Sequence, residues 1–191
     1  SQDNTNGVFF KFVADAAGDL SAGTLYAAKL TQDAGSNEPA TTGFDISWIE
    51  LASGDEATIE GWIADFDSVD GDDYVDGRSS YMTDADAIAW AAGDANYGAA
   101  DTQSTAAVDA GYEGAETYPG ATTAGQPMDD RIAFLESRKA ARAKGATAEW
   151  RKFEGININT TRAQALVEDG DANTTAYVYF AISDIDRGMI D

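Results

Sequence analysis

Three short apolar segments of strand length lie near the start of the chain, and the third alternates apolar and polar residues, the pattern of a β-strand with one buried face. Strands are predicted at residues 8–13, 24–30 and 44–51. In the third segment Phe44, Ile46 and Trp48 alternate with polar residues, and these three side chains are expected to be buried. Because no helix separates the segments, the pattern indicates an antiparallel meander, either a propeller blade or part of a β-sandwich.

The dipeptide Asn6-Gly7 stands directly before the first strand. Asn-Gly favours a two-residue hairpin turn, because both positions of that turn need a positive φ. A turn at this point requires an earlier strand, for which few residues are available. The chain is therefore expected to begin within a sheet that other polypeptide segments complete.

Helical patterns follow in the middle of the chain. A short helix is predicted at 84–92, where acidic residues occupy the first turn and favour the helix dipole. A longer helix should run from Pro127 to about Lys144, with Ile132 and Leu135 on its buried face, and end at the left-handed residue Gly145. Residues 77–145 thus form a loop and helix insertion, and two more strands are predicted at 156–159 and 177–182.

Composition narrows the possible partners and chemistry. The chain has 12 Lys and Arg against 34 Asp and Glu, a net charge of -22, which repels nucleic acid and anionic membranes. Its lack of Cys and His excludes thiol nucleophiles, Ser-His-Asp triads and Cys or His zinc sites within this chain. No apolar run is long enough to span a bilayer. Chemistry must therefore come from carboxylates, Lys, Arg and bound metal ions.

Aspartates are concentrated between residues 65 and 76. Asp67, Asp70 and Asp72 belong to this cluster of six aspartates, which is interspersed with glycine. Flexible, closely spaced oxygen ligands suit Ca²⁺, although the spacing is not that of an EF-hand. The segment is either a calcium loop with these three residues among its ligands or a solvated acidic loop.

Cations are concentrated in a second segment, residues 131–152, which holds 7 of the 12 Lys and Arg residues. In so acidic a chain this basic segment is the place that could attract an anionic substrate, and Arg suits phosphate or carboxylate groups. The alternative is a solvated basic helix that balances the acidic remainder, which is the commoner role of a charge run.

The residues from Ser137 to Ile156 resemble a segment of the PhoX-type alkaline phosphatases. The similarity comprises Arg138-Lys139-Ala140-Ala141, the turn Gly145-Ala146-Thr147, and Glu154-Gly155-Ile156. Further stretches agree in order and spacing: Phe9-Phe10-Lys11-Phe12-Val13, the residues from Asp19 to Leu30, and Ala181-Ile182-Ser183-Asp184-Ile185.

This resemblance implies a mainly β chain that forms two or three blades of a six-bladed β-propeller, over residues 1–191, completed by other polypeptide segments or chains. It implies a secreted, periplasmic or cell-surface phosphomonoesterase whose cofactors are calcium and iron. Glu154 would be a metal ligand, and Lys152 with Arg151 would face the phosphate. The chain departs from the family pattern, since Lys152 replaces the usual Arg, Phe153 replaces the usual Pro, and the Cys that the family uses for iron is absent. A Lys cannot form the bidentate fork that Arg makes with phosphate.

Other interpretations stay open at this point. Glu154 could be a surface carboxylate paired with Lys152 across a strand. The chain could be a calcium-binding propeller without catalysis, serving as a structural subunit of a surface assembly or filament. A third interpretation is a carbohydrate-binding β-domain that uses exposed aromatic residues near Trp62 or Trp90.

Overall fold

A computed structural model describes residues 7–32, 43–67, 82, 84–95, 126–161 and 178–185. The strands are β1 (Phe10–Ala16), β2 (Asp19–Gln32), β3 (Phe44–Asp55), β4 (Trp150–Ile158) and β5 (Val178–Ile185). The helices are α1 (Glu56–Asp67), α2 (Asp84–Ala92), α3 (Arg131–Leu135) and α4 (Ser137–Ala143). The protein is mainly β with antiparallel sheets, as predicted, and no closed barrel or propeller is formed by the described residues.

The chain divides into two compact units. The larger unit comprises residues 8–147 and holds β1 to β3 and all four helices, while the smaller comprises residues 1–7 and 148–191 and holds β4 and β5. The predicted insertion at 77–145 lies within the larger unit, and its central part, residues 96–125, falls outside the described ranges.

Strands β1, β2 and β3 form an antiparallel meander in that order. A two-residue turn joins β1 to β2, and Gly18 has a φ of 78° there, a value that glycine adopts without a steric penalty. The strands are longer than the sequence pattern indicated, because β2 and β3 pair from Ala22 and Asp55 to Gln32 and Phe44. The predicted meander is confirmed.

The sheet is most deeply buried at its centre. Ala27, Ala28, Leu51 and Ala52 are all buried, and because successive strand residues point to opposite faces, the sheet is covered on both faces here. The prediction that Phe44 and Ile46 are buried is wrong, since they are 39% and 45% exposed. They pair with Gln32 and Leu30 at the far end of the strand pair. Alternation of apolar and polar residues places the apolar side chains on one face of the sheet, but burial also requires another element to pack against that face.

Helix α1 begins at an aspartate cap. The Asp55 carboxylate accepts hydrogen bonds from the backbone N–H of Thr58 at 2.8 Å and from its hydroxyl at 3.0 Å. These bonds satisfy a donor that the first turn of a helix leaves without an intrahelical partner. Sequence analysis did not predict this helix, although Asp55 and Thr58 carry a local start signal.

Helix α2 has the predicted bounds, but the long helix predicted to end near Lys144 does not run unbroken. It consists of α3 and α4, separated at Glu136, whose φ of -129° is not helical. Hydrogen bonds from Glu136 N to Ile132 O and from Ala140 N to Glu136 O continue across this position. The break is therefore a local distortion. The predicted left-handed end is confirmed, since Gly145 has a φ of 82°.

Thr147 pairs with the edge of β2 at positions that lie beyond the first residue of β1. Its N–H donates to Ala28 O at 3.1 Å, and its hydroxyl accepts from Leu30 N at 2.9 Å. The predicted Gly-Ala-Thr turn thus satisfies backbone groups that a strand would otherwise pair.

In the described part of the smaller unit, β4 and β5 form a two-stranded antiparallel sheet, to which Gly7 adds one bridge with Trp150. The N–H of Gly7 donates to Trp150 O at 2.8 Å, and a side chain at Gly7 would collide with that carbonyl. The predicted hairpin turn at Asn6-Gly7 is wrong at Gly7, which forms this bridge instead. Asn6 lies outside the described residues.

None of the helices in the described ranges is long and apolar enough to cross a bilayer.

Candidate functional site

The residues expected to face phosphate lie in an irregular part of β4. Lys152 has a φ of 51°, the only positive φ found among the described residues other than glycine. Such a backbone conformation costs a side-chain-bearing residue about 1 to 2 kcal/mol. It therefore persists only where the surrounding structure imposes it.

A β-bulge directly follows Lys152. The register between β4 and β5 shifts between Phe153 and Gly155, which pair with Ile182 and Ala181, so Glu154 has no residue opposite it in β5. The side chains of Lys152 and Glu154 are exposed, whereas Arg151 is partly buried and stands opposite Asp184. Bulges and strained residues are typical of positions next to active sites.

Aromatic packing holds this irregular strand in place. The rings of Trp150 and Phe153 meet edge to face at 5.3 Å, and Phe180 of β5 packs against Trp150 at 5.4 Å. Residues three apart point to opposite faces of a regular strand, so this contact depends on the left-handed Lys152. Trp150 is 2% exposed and anchors the arrangement.

The predicted metal ligands are described only in part. Glu154 has an exposed side chain. Asp67 is the last residue of α1, and Asp70 and Asp72 lie outside the described residues. Within the described ranges, no three carboxylates are grouped closely enough to hold a metal ion. Since a single carboxylate does not complete a site for calcium or iron, both cofactors stay predictions.

Two lysines of the basic segment, Lys139 and Lys144, make internal contacts, which neither interpretation of the sequence anticipated. Lys144 donates to the carbonyls of Glu50 at 3.1 Å and Leu51 at 2.9 Å, and its ammonium lies 4.3 Å from the centre of the Trp90 ring. Lys139 donates to the carbonyl of Met82. These lysines connect the end of the helical segment to β3 and to the region of α2.

Arg131 is the most buried cation of the segment. It is 2% exposed and forms a bidentate pair with Asp129, with Nε to Oδ1 at 2.9 Å and Nη2 to Oδ2 at 2.9 Å. Its guanidinium also lies 6.0 Å from the centre of the Trp62 ring. A buried and paired Arg is a structural element of the core. Sequence analysis treated it as one cation of a surface run.

Arg142 is exposed and lies 3.6 Å from the carboxylate of Asp84, beside a shallow cleft of about 220 Å³ between α2 and α4. The carboxylate offsets the attraction of this cleft for anions. For Lys152 and Arg151, in the smaller unit, phosphate binding stays a prediction.

The aromatic residues suggested for carbohydrate binding are packed. Trp90 is 7% exposed and donates its indole N–H to Asp130 at 2.9 Å, while Trp62 packs against Phe134 at 5.9 Å. An aromatic platform for a sugar needs an open face. The position of Trp90 therefore does not favour that interpretation.

Comparison with known proteins adds no relative, because no family model, curated protein or solved structure matches this chain. The resemblance to PhoX-type phosphatases rests on the quoted residues alone.

Proposed function

We propose that the chain is a segment of a PhoX-like, metal-dependent phosphomonoesterase, in which Lys152 and Arg151 bind the phosphate of the substrate and Glu154 is a metal ligand. The observation that carries this proposal is the coincidence of the left-handed Lys152 and the bulge at Glu154. Strain and a register shift fall on the residues that the resemblance assigns to phosphate and metal.

The meander of the larger unit supports the corresponding fold. A propeller blade is a four-stranded antiparallel sheet, and β1, β2 and β3 have the neighbour order of three consecutive blade strands. We propose that other polypeptide segments or chains complete the propeller. An exposed apolar surface on the smaller unit is consistent with such partners, since Ile156, Ile158 and Val178 are 68%, 43% and 42% exposed.

The chain's own residues have defined tasks in this proposal. Lys152 supplies a mobile positive charge to the phosphate oxygens, and Arg151 can add planar hydrogen bonds. Bound metal ions supply charge neutralisation and an activated water in metal-assisted phosphoryl transfer. The left-handed backbone at Lys152 and the bulge that follows it set the course of this stretch of β4, and with it the positions of the Lys152 and Glu154 side chains.

The proposal is tested on the native protein isolated intact from its source, assayed for hydrolysis of an aryl phosphate with calcium and iron present. Lys152→Met should lower kcat/KM by about tenfold or more, the loss of one charged contact of about 1.4 kcal/mol. Lys152→Arg should retain or raise activity. Lys29→Met is the matched control, because it removes the charge of an exposed lysine on β2. Absence of hydrolysis by the metal-loaded protein, or equal activity of Lys152→Met and Lys29→Met, would overturn the proposal.

A second candidate is a non-catalytic structural subunit of a surface assembly, favoured by the same exposed apolar residues on β4 and β5. A two-stranded sheet is marginally stable alone, so a partner surface would stabilise it. This candidate predicts an assembled particle that binds calcium and has no phosphatase activity. Intact mass measurement of the native particle, combined with elemental analysis for calcium and iron, separates the two candidates.

A further inference from the structure

The larger unit has an open groove of about 530 Å³ between the β1–β2 turn region and α1. Its apolar lining includes Phe12, Leu20 and Ile59, and Leu20 is 77% exposed. Three carboxylates also line it, those of Asp19, Glu56 and Glu60. Leu20 is a large apolar side chain that the described part of the structure leaves uncovered.

The described charged residues that line the groove are all acidic. No Lys or Arg is found among its described lining residues. Glu56 and Glu60 are one turn apart on α1, and a like-charge pair at this spacing destabilises a helix. A cationic ligand would relieve this repulsion. The overall charge of -22 would also speed its approach.

The spacing of the carboxylates favours an extended ligand over a single ion. No three carboxylates in the described ranges are close enough to share a metal ion. Glu60 lies four positions after Glu56, which is a distance of about 6 Å along the helix axis. Alternate residues of an extended polypeptide are about 6.6 Å apart, which nearly matches that distance. The stems of Lys and Arg can also cover apolar surface while their charged ends reach carboxylates.

We propose that this groove binds an extended basic polypeptide segment of a partner, with alternate Lys or Arg residues whose stems lie on Phe12, Leu20 and Ile59. The charged ends pair with Asp19, Glu56 and Glu60. This interaction is independent of the phosphatase proposal, because it uses no residue of β4.

The probe is a fluorescently labelled, end-capped Lys-Gly-Lys-Gly-Lys peptide, titrated against the whole chain by fluorescence anisotropy at an ionic strength of about 0.1 M, where the Debye length is about 10 Å. The double variant Glu56→Gln/Glu60→Gln should weaken binding about fivefold or more, through the loss of two ion pairs. The control is Asp45→Asn/Glu50→Gln, which removes two exposed carboxylates of β3 that do not line the groove. It should change affinity less than about twofold, the limit set by screened long-range attraction.

A second comparison tests the apolar lining. Replacing each Lys of the peptide with 2,4-diaminobutyrate keeps the charge and shortens the stem by two methylene groups, which should weaken binding about threefold or more. Leu20→Ser should weaken binding of the Lys peptide and leave binding of the 2,4-diaminobutyrate peptide unchanged. Because Leu20 is 77% exposed, this variant should fold normally. Absence of binding, equal loss in the control double variant, or equal affinity for the two peptides would overturn the proposal.

Discussion

The indole N–H of Trp90 donates to the carboxylate of Asp130 at 2.9 Å, linking α2 to the residue that precedes α3. Trp90 is 7% exposed, so this donor has little access to water. The Trp90 ring also contacts the ammonium of Lys144. The two residues are 40 positions apart and connect separate parts of the helical region.

Replacing Asp130 should show how much this bond contributes. Asp130→Ala leaves a buried donor without its acceptor and should lower the free energy of unfolding by about 1 to 3 kcal/mol. Asp130→Asn keeps an acceptor oxygen and should lower it by less. Chemical denaturation followed by Trp fluorescence measures both. Equal stability of the Ala and Asn variants would show that the bond contributes nothing.

The lysine at the end of the helical segment should act as a structural cation. Lys144→Met removes hydrogen bonds to two carbonyls of β3 and the contact with Trp90, and should lower the free energy of unfolding by about 1 to 2 kcal/mol. Arg138→Gln, at an exposed position of α4, removes the same charge and should change stability by less than about 0.5 kcal/mol. Thermal denaturation of both variants provides the comparison. Similar midpoints would show that the charge alone matters.

The left-handed backbone at Lys152 predicts an unusual order of substitutions. Lys152→Gly should be more stable than Lys152→Ala by about 1 kcal/mol, because glycine adopts a positive φ without steric cost. At Asn157, an exposed position of β4 without a positive φ, the order should be reversed, with Gly less stable than Ala by about 0.5 to 1 kcal/mol. Denaturant unfolding of the four variants measures this. The same order at both positions would contradict the strained conformation.

The hydrogen bonds that Asp55 accepts at the start of α1 should lower its pKa measurably in an acid titration. The backbone N–H of Thr58, and secondarily its hydroxyl, holds the pKa of Asp55 below its ordinary value of 3.8. Because folding lowers this pKa, the cap stabilises the fold at pH values above the ordinary pKa of 3.8. The stabilisation is lost as pH falls through the lower, folded-state pKa.

Thr58→Ala removes the hydroxyl and keeps the backbone donor, so it should raise the pKa of Asp55 part of the way towards 3.8. Asp19, whose pKa is lowered by bonds from Ser21, is the internal control and should not move. Carbon-detected NMR titration of the side-chain carboxyls resolves both groups. A change of the same size at Asp19 would indicate a general charge effect.

Replacing Gly23 and Gly61 with alanine should change the stability of the fold in opposite directions. A Cβ at Gly23 would lie 2.6 Å from Phe12 Cζ and collide with the carbonyl of Val13, so Gly23→Ala should destabilise the sheet by about 1 to 3 kcal/mol. Nothing lies within 4 Å of a Cβ at Gly61 in α1, where Ala should stabilise the helix by about 0.5 to 1 kcal/mol. Thermal unfolding distinguishes the two. Equal effects would contradict the packing of Phe12 over Gly23.

The sequence by itself determined features that depend on local patterns. Short apolar segments of strand length were sufficient to predict the β1–β3 meander, and the acidic first turn fitted helix α2 at 84–92. Gly145 ended the helical segment as predicted, since few other residues adopt its conformation readily. The cap at Asp55 was equally local, and α1 could have been predicted from it. In the candidate site, the sequence supplied Lys152 and Glu154 through a resemblance.

Tertiary structure decided which of these side chains are covered, paired or strained. Phe44 and Ile46 have the alternation of buried residues, but within the described part of the chain they are 39% and 45% exposed at the end of the strand pair. Lys144 reads as a solvated charge, yet the chain returns it to carbonyls 93 and 94 positions earlier. The left-handed Lys152 depends on pairing with a strand 26 or more positions later and on the packing of Trp150 with Phe180. Such contacts join residues far apart in the chain, and local propensity carries no information about them.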